Sequence, residues 1–159
     1  TLPMTIGASG IKIYNALDHA SIFNTDFNLE YSISQNWNIK TLIAYSLGKD
    51  DDYNNLPFIS PLRYNAGIEF KKNKLNAGIL ASGNLAQNDF AKAYGQTQTS
   101  DYLIFNINAG YAFDWNQNKI KLQTGVENIF DKYYTTFSDW NKIPRMGRNF
   151  FINLVYSFD

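Results

Sequence analysis

From His19 to the end of the chain, apolar and polar side chains alternate in runs of about a dozen residues, each closed by a polar break. A period of two puts successive side chains on opposite faces of a β-strand. In the first run, residues 20–34, Phe23, Phe27, Leu29, Tyr31 and Ile33 share one face, and Asn24, Asp26, Asn28, Glu30 and Ser32 share the other. A tight turn at Gln35-Asn36 follows, and a second run sets Trp37, Ile39, Ile43, Tyr45 and Leu47 against Asn38, Lys40 and Ser46. The third pairs Leu62, Tyr64, Ala66, Ile68 and Phe70 with Arg63, Asn65, Gly67, Glu69 and Lys71. The fourth shows Leu75, Ala77, Ile79, Ala81 and Leu85 opposite Asn76, Gly78, Ser82 and Asn84. The fifth sets Leu103, Phe105, Ile107, Tyr111 and Phe113 against Asn106, Asn108 and Gly110, and the sixth Ile120, Leu122 and Val126 against Lys121, Gln123, Gly125 and Glu127. The seventh ends the chain with an unbroken apolar row: Phe150, Ile152, Leu154, Tyr156 and Phe158. Seven strands and no helical period predict an all-β fold.

The connections between runs are as regular as the runs. Short turns at Gln35-Asn36, Lys72-Asn73 and Asn116-Gln117-Asn118 alternate with long loops over residues 48–60, 87–101 and 131–147. No charged residue falls on the seven apolar faces, whereas Asp26, Glu30, Lys40, Arg63, Glu69, Lys121 and Glu127 occupy the opposite ones. An antiparallel up-and-down barrel crossing a bilayer requires both features, because a lipid-facing charge at mid-membrane costs roughly 2–4 kcal/mol. Tyr31, Trp37, Phe70, Phe113, Tyr156 and Phe158 lie near the short-turn ends and predict an aromatic girdle there; Tyr45, Tyr64, Phe105 and Phe150 suit a second girdle at the other interface. A water-soluble sheet with its apolar face packed inward has the same alternation. Its polar rows, however, would carry more Lys and Glu than these Asn- and Gly-rich ones.

Composition narrows the reading. Charged residues make up only 18% of 159 and the formal net charge is zero, which excludes an electrostatic binder of nucleic acid. Aromatics at 16% argue against disorder. Cysteine is absent, so there is no thiolate site. No apolar run approaches the roughly 20 residues of a membrane helix, a test that strands evade. Thr1-Leu2-Pro3-Met4 has neither basic start nor apolar core, so the membrane reading expects a processed, excised or partial chain.

Three segments resemble motifs of TonB-dependent outer-membrane receptors. Gly125-Val126-Glu127-Asn128-Ile129-Phe130-Asp131-Lys132-Tyr133 is similar to their G-x-E-N-L-F-D-K-x-Y run, with Ile129 for Leu. Pro144-Arg145-Met146-Gly147-Arg148-Asn149-Phe150 resembles the P-x-P-G-R-x-F approach to their last strand, with Met146 at the second proline. Leu56-Pro57-Phe58-Ile59-Ser60-Pro61-Leu62-Arg63 resembles L-P-x-I-P-P-x-R, with Ser60 for the first of the paired prolines. The final strand with its terminal aromatic also looks like the closing, membrane-insertion strand of such barrels. The resemblance implies that residues 1–159 are a C-terminal segment, about seven strands of a barrel of about 22, without the plug domain. It further implies active uptake of a siderophore or other metal chelate across the outer membrane, with no cofactor and no enzymatic activity. The implied partners are the rest of the receptor, TonB through its N-terminal part, the lipid bilayer and the barrel-assembly machinery.

Each motif residue also has a plainer role: Gly147 to bend the backbone, the prolines to stiffen loop ends, and Asn128 and Asp131 to cap a turn. Ligand contacts are expected from the long-loop side, where aromatic and Arg anchors are Tyr14, His19, Tyr53, Phe58, Phe90, Tyr94, Tyr134, Trp140 and Arg145. Other chemistry is thin. His19 and Ser21 are the sole candidate acid–base pair, Asp50-Asp51-Asp52 a candidate oxygen site for a cation, and Met4, Met146 and His19 a candidate soft copper site. The alternative architecture is a complete eight-stranded barrel with a structural or passive-pore role, using residues 3–15 as the extra strand.

Overall fold

A computed structural model describes residues 18–115, 118–139 and 142–158. They form one antiparallel sheet in chain order: β1 Ala20–Ser32, β2 Trp37–Asp50, β3 Arg63–Lys72, β4 Leu75–Asn84, β5 Tyr102–Trp115, β6 Asn118–Glu127 and β7 Asn149–Ser157. Each strand pairs only with its chain neighbours, so β1 and β7 are the edges and the sheet stays open. The all-β, up-and-down expectation holds strand for strand. The eighth strand proposed for residues 3–15 lies outside the described residues, as do Met4, Tyr14 and Trp140.

The register keeps the two faces continuous. One row runs Ile39, Ile68, Ile79, Ile107, Val126, Phe150 across six strands. The adjacent row runs Asn38, Glu69, Gly78, Asn108, Gly125, Phe151. A slip of one residue in any strand would throw a charge or an amide into the apolar row, and that cost fixes the pairing. Phe151 breaks the polar row because Gly125 beside it has no Cβ: one built there would sit 2.6 Å from the Phe151 ring. On the polar face Lys40 lies 3.6 Å from Glu30 and 3.1 Å from Glu69, which also meets Lys71 at 3.2 Å.

Nothing in the described chain covers the apolar face. Phe23 is 59%, Ile79 50% and Ile152 75% exposed, while the buried hydrophobics are only Ala44, Leu56 and Ala91. A soluble sheet of this size would pack that face into a core. At the short-turn end aromatic pairs form the anticipated belt: Trp37 with Phe70 (centroids 4.9 Å apart), Tyr111 with Phe113 (6.5 Å) and Tyr156 with Phe158 (5.7 Å).

One boundary differs from expectation. Residues 48–50 read as loop, yet β2 continues to Asp50 and pairs with the whole of β1, from Ser32↔Asn38 to Ala20↔Asp50. Pairing of β2 with β3 stops at Ala44↔Arg63, so the β1–β2 ribbon projects past the sheet at the long-loop end. The first long loop folds back on the free edge of β2: Leu56 N–H donates to Gly48 C=O at 3.0 Å, and Lys49 bridges to Asn55. Lys49 and Asp50 mark departure from the apolar band rather than the end of the strand.

Candidate functional site

At the long-loop end, the third loop is organised around Asn128, which is only 2% exposed and adopts a left-handed backbone (φ 48°). Asparagine tolerates that conformation because its short side chain bonds locally. Here Nδ2 donates to Lys132 C=O (2.8 Å) and Met146 C=O (3.4 Å), and Oδ1 accepts from Lys132 N–H (2.8 Å). Its own N–H donates to Asn106 Oδ1 on β5 (2.8 Å). One amide therefore ties both ends of the loop to the sheet. Asp131, also left-handed (φ 54°), accepts the Arg148 N–H on Oδ1 at 2.7 Å. The capping role of Asn128 is as expected, whereas the Asp131 side chain ties the far end of the loop rather than its own turn. Gly147 also departs from expectation: its φ is not positive, and a Cβ there would collide with the Asp131 carboxylate. Gly147 gives room rather than bend.

A second cluster sits on this frame. Arg145 Nε donates to Asp139 Oδ2 (3.0 Å), its NH2 group to Thr136 Oγ1 (3.3 Å), and its backbone N–H to Tyr134 C=O (3.0 Å). Tyr134 in turn packs on Tyr102 with centroids 4.4 Å apart. Burial alone would push the Asp139 carboxyl up, but the Thr136 N–H (2.6 Å) and the Arg145 guanidinium outweigh it and hold its pKa below the ordinary value. Burial raises the Tyr134 phenol, so it remains a neutral donor and acceptor at physiological pH. The Asp139 side chain is 10% exposed and that of Arg145 50%. The carboxylate is therefore largely covered by a guanidinium that itself remains half exposed.

Tyr134 and Arg145 line a recess with Ile104, Asn106, Glu127 and Met146. Sequence reasoning missed Ile104, Asn106 and Glu127; the available signal was their place on the polar-face parity of β5 and β6, beside the third loop. The other candidates do not converge on this recess. Tyr53 (82% exposed) and Phe58 (76%) stand out from the first loop, each with φ 60°. Phe90 lies under Lys92 Nζ at 5.8 Å, and Tyr94 belongs to a single 3-10 turn, Lys92–Tyr94, in the second loop. Among the described residues, Gln87 Nε2 donates to Ile59 C=O (2.8 Å) and Lys142 Nζ to Gln98 C=O (3.0 Å), linking the three loops.

His19 lies against Asp51, its backbone N–H donating to Oδ2 (2.9 Å) and Nδ1 3.5 Å from the same oxygen. Asp50 is engaged as a loop cap, accepting from Asp52 N–H (3.0 Å) and from Asn54 N–H (2.8 Å) and Nδ2 (3.1 Å). No group of three or more His, Cys, Asp or Glu suited to a metal ion occurs among the described residues.

No curated protein matches the chain. Among solved structures, the copper transporter OprC superposes with a TM-score of 0.77 at 26% identity, over 87% of this chain and 24% of that one. The ferric citrate transporter FecA in its unliganded form superposes with a TM-score of 0.59 at 24% identity, over 74% of this chain and 20% of that one, a likeness of fold alone. The chain thus spans about a quarter or less of the length of either transporter. The family model described as "TonB dependent receptor-like, beta-barrel" matches residues 4–129, most of the strands set out above. The chain belongs to the TonB-dependent receptor β-barrel family.

Proposed function

We propose that residues 1–159 form a C-terminal segment of the barrel of an outer-membrane receptor, and that the whole receptor imports a siderophore or other metal chelate by TonB-dependent transport. The observation that carries this reading is the recess at the long-loop end. It opens on the polar face and offers a half-exposed guanidinium, a neutral phenol, an amide and the Glu127 carboxylate beside Ile104 and Met146. A planar guanidinium suits carboxylate or catecholate oxygens of a chelator, and Tyr134 and Asn106 would orient it. The exposed aromatics Tyr53, Phe58 and Tyr94 and the half-buried Phe90, with Tyr14, His19 and Trp140, supply the first contacts from outside. Transport further engages the plug and remaining strands of the receptor, TonB, the surrounding bilayer and, during assembly, the barrel-insertion machinery.

A second reading, uptake of copper, is favoured by Met146. Met146, a thioether residue, is 70% exposed at the recess, and the structural likeness is to a protein described as a copper transporter.

Growth of a deletion strain, complemented with the full-length receptor, on ferric chelates and on limiting copper separates the two. Replacing Trp140 and Arg145 together by alanine should reduce chelate uptake about tenfold or more. Asp139→Asn, which loosens the loop but leaves the guanidinium, should reduce it far less. Equal losses in both at equal amounts of folded receptor would assign Arg145 a purely structural role. Loss confined to Met146→Ala and to copper would favour the second reading.

A further inference from the structure

The short-turn end of the apolar face carries a feature at the opposite end of the strands from the long-loop recess. The aromatic belt there has a gap. Between the Trp37–Phe70 pair and the Tyr111–Phe113 pair, β4 offers only Leu75 and Ala77, and Ala77 sits opposite Phe70 on one side and Ala109 on the other. The gap is a lipid-facing recess walled by Phe70, Leu75 and Tyr111 and rimmed by the β3–β4 turn. That turn reads Lys71-Lys72-Asn73-Lys74, three cations in four residues.

Alternation sorts these lysines. Lys71 faces the interior and pairs with Glu69 (3.2 Å); Lys74 is engaged by Asp114 (2.6 Å). Lys72 shares the face of Phe70, borders the recess, and has no acidic partner among the described residues. An uncompensated ammonium above an apolar, aromatic-walled hollow at the membrane interface calls for an anion attached to an apolar body. A phospholipid has that chemistry: its phosphate meets Lys72, and its glycerol and upper acyl carbons fill the gap.

We propose that this recess is a binding site for a phospholipid of the inner leaflet, toward which the short, periplasmic turns of outer-membrane barrels lie, held through its phosphate by Lys72. The proposal rests on the outer-membrane reading above. That reading would fail by fractionation of the receptor away from the outer membrane, whereas this site would fail in a receptor that is correctly located.

The test is native mass spectrometry of the delipidated full-length receptor titrated with dioleoyl phosphatidylglycerol, and with dioleoylglycerol, which lacks the phosphate. Lys72→Ala should lower phosphatidylglycerol occupancy about fivefold. Lys132→Ala, a cation of the long-loop end, should leave it unchanged. Heat-modifiable migration on gels verifies that each variant is folded. Unchanged occupancy in Lys72→Ala, or equal binding of dioleoylglycerol, would overturn the proposal. Displacement of the lipid by inorganic phosphate alone would replace it with a site for free anions.

Discussion

Replacing Asn128 by alanine should open the third loop without dismantling the sheet. Three side-chain hydrogen bonds disappear, those to Lys132 C=O, Met146 C=O and Lys132 N–H. At ~0.5–1.5 kcal/mol each, their combined loss is about 3 kcal/mol. The left-handed backbone at φ 48°, which asparagine accepts and alanine resists, adds about 1 kcal/mol. The bond from its own N–H to Asn106 survives, so the end of β6 stays pinned. Amide hydrogen exchange of the full-length receptor reads the effect directly. A local destabilisation of about 3–4 kcal/mol speeds exchange across residues 128–148 by roughly 100- to 1,000-fold, while β5 and β6 remain protected. Asn128→Asp sharpens the test. It keeps an acceptor for Lys132 N–H but turns a carboxylate oxygen toward two carbonyls in a site only 2% exposed, so it should be at least as damaging as alanine. Exchange rates within threefold of the parent in Asn128→Ala, or a benign Asn128→Asp, would refute the assignment of Asn128 as the tie of this loop.

Ile107→Arg, in the middle of the apolar row between Ile79 and Val126, should cost roughly 2–4 kcal/mol in denaturant titrations of the receptor refolded into bilayers. Asn108→Arg, one residue away among Gly78 and Gly125, should cost well under half of that, and equal damage would return the apolar face to a protein core. Gly147→Ala should displace the Asp131 carboxylate and weaken its bond to Arg148 N–H, costing about 1–3 kcal/mol, visible as faster exchange at Arg148; a neutral result would mean that the loop has slack there. The Asp139 carboxyl, whose pKa is lowered in the folded loop, contributes stability that is present above its unfolded value near 4 and is lost as pH falls through the folded value. Protease cleavage in residues 131–147 should therefore rise below about pH 4 in the parent and show little pH dependence in Asp139→Asn; parallel profiles would contradict this.

Strand order and facing were legible because each strand carries its instruction locally: Ile68 and Glu69 could not exchange faces without placing a carboxylate in lipid. The length of β2 was less legible. Lys49 and Asp50 are poor strand residues by composition, and they are held extended by Ser21 and Ala20 on one side and by the returning loop at Asn54 and Asn55 on the other. Asn128 could be recognised as a turn cap from its type and neighbours, whereas the reach of Asp131 to Arg148 could not. Nor could the recess, because Asn106, Glu127 and Arg145 meet only through the register of β5 with β6 and the path of the third loop. Gly147 shows the same limit in one residue: a glycine advertises freedom of backbone, whereas its reason here is an oxygen atom of Asp131, sixteen positions earlier.

The projecting β1–β2 ribbon divides the outer surface mechanically. A paired ribbon resists bending in its own plane, and about six residues of β2 beyond its last pair with β3 make a stalk on the order of 20 Å long. With the loop backbone clasped to its edge at Gly48, the first loop behaves as a fixed post. It cannot fold over the opening without tearing backbone pairs. Among the described residues, side-chain bonds from Gln87 to Ile59 and from Lys142 to Gln98 join the second loop to the first and the third to the second. A swing of those two loops against the post would have to release at least these two bonds.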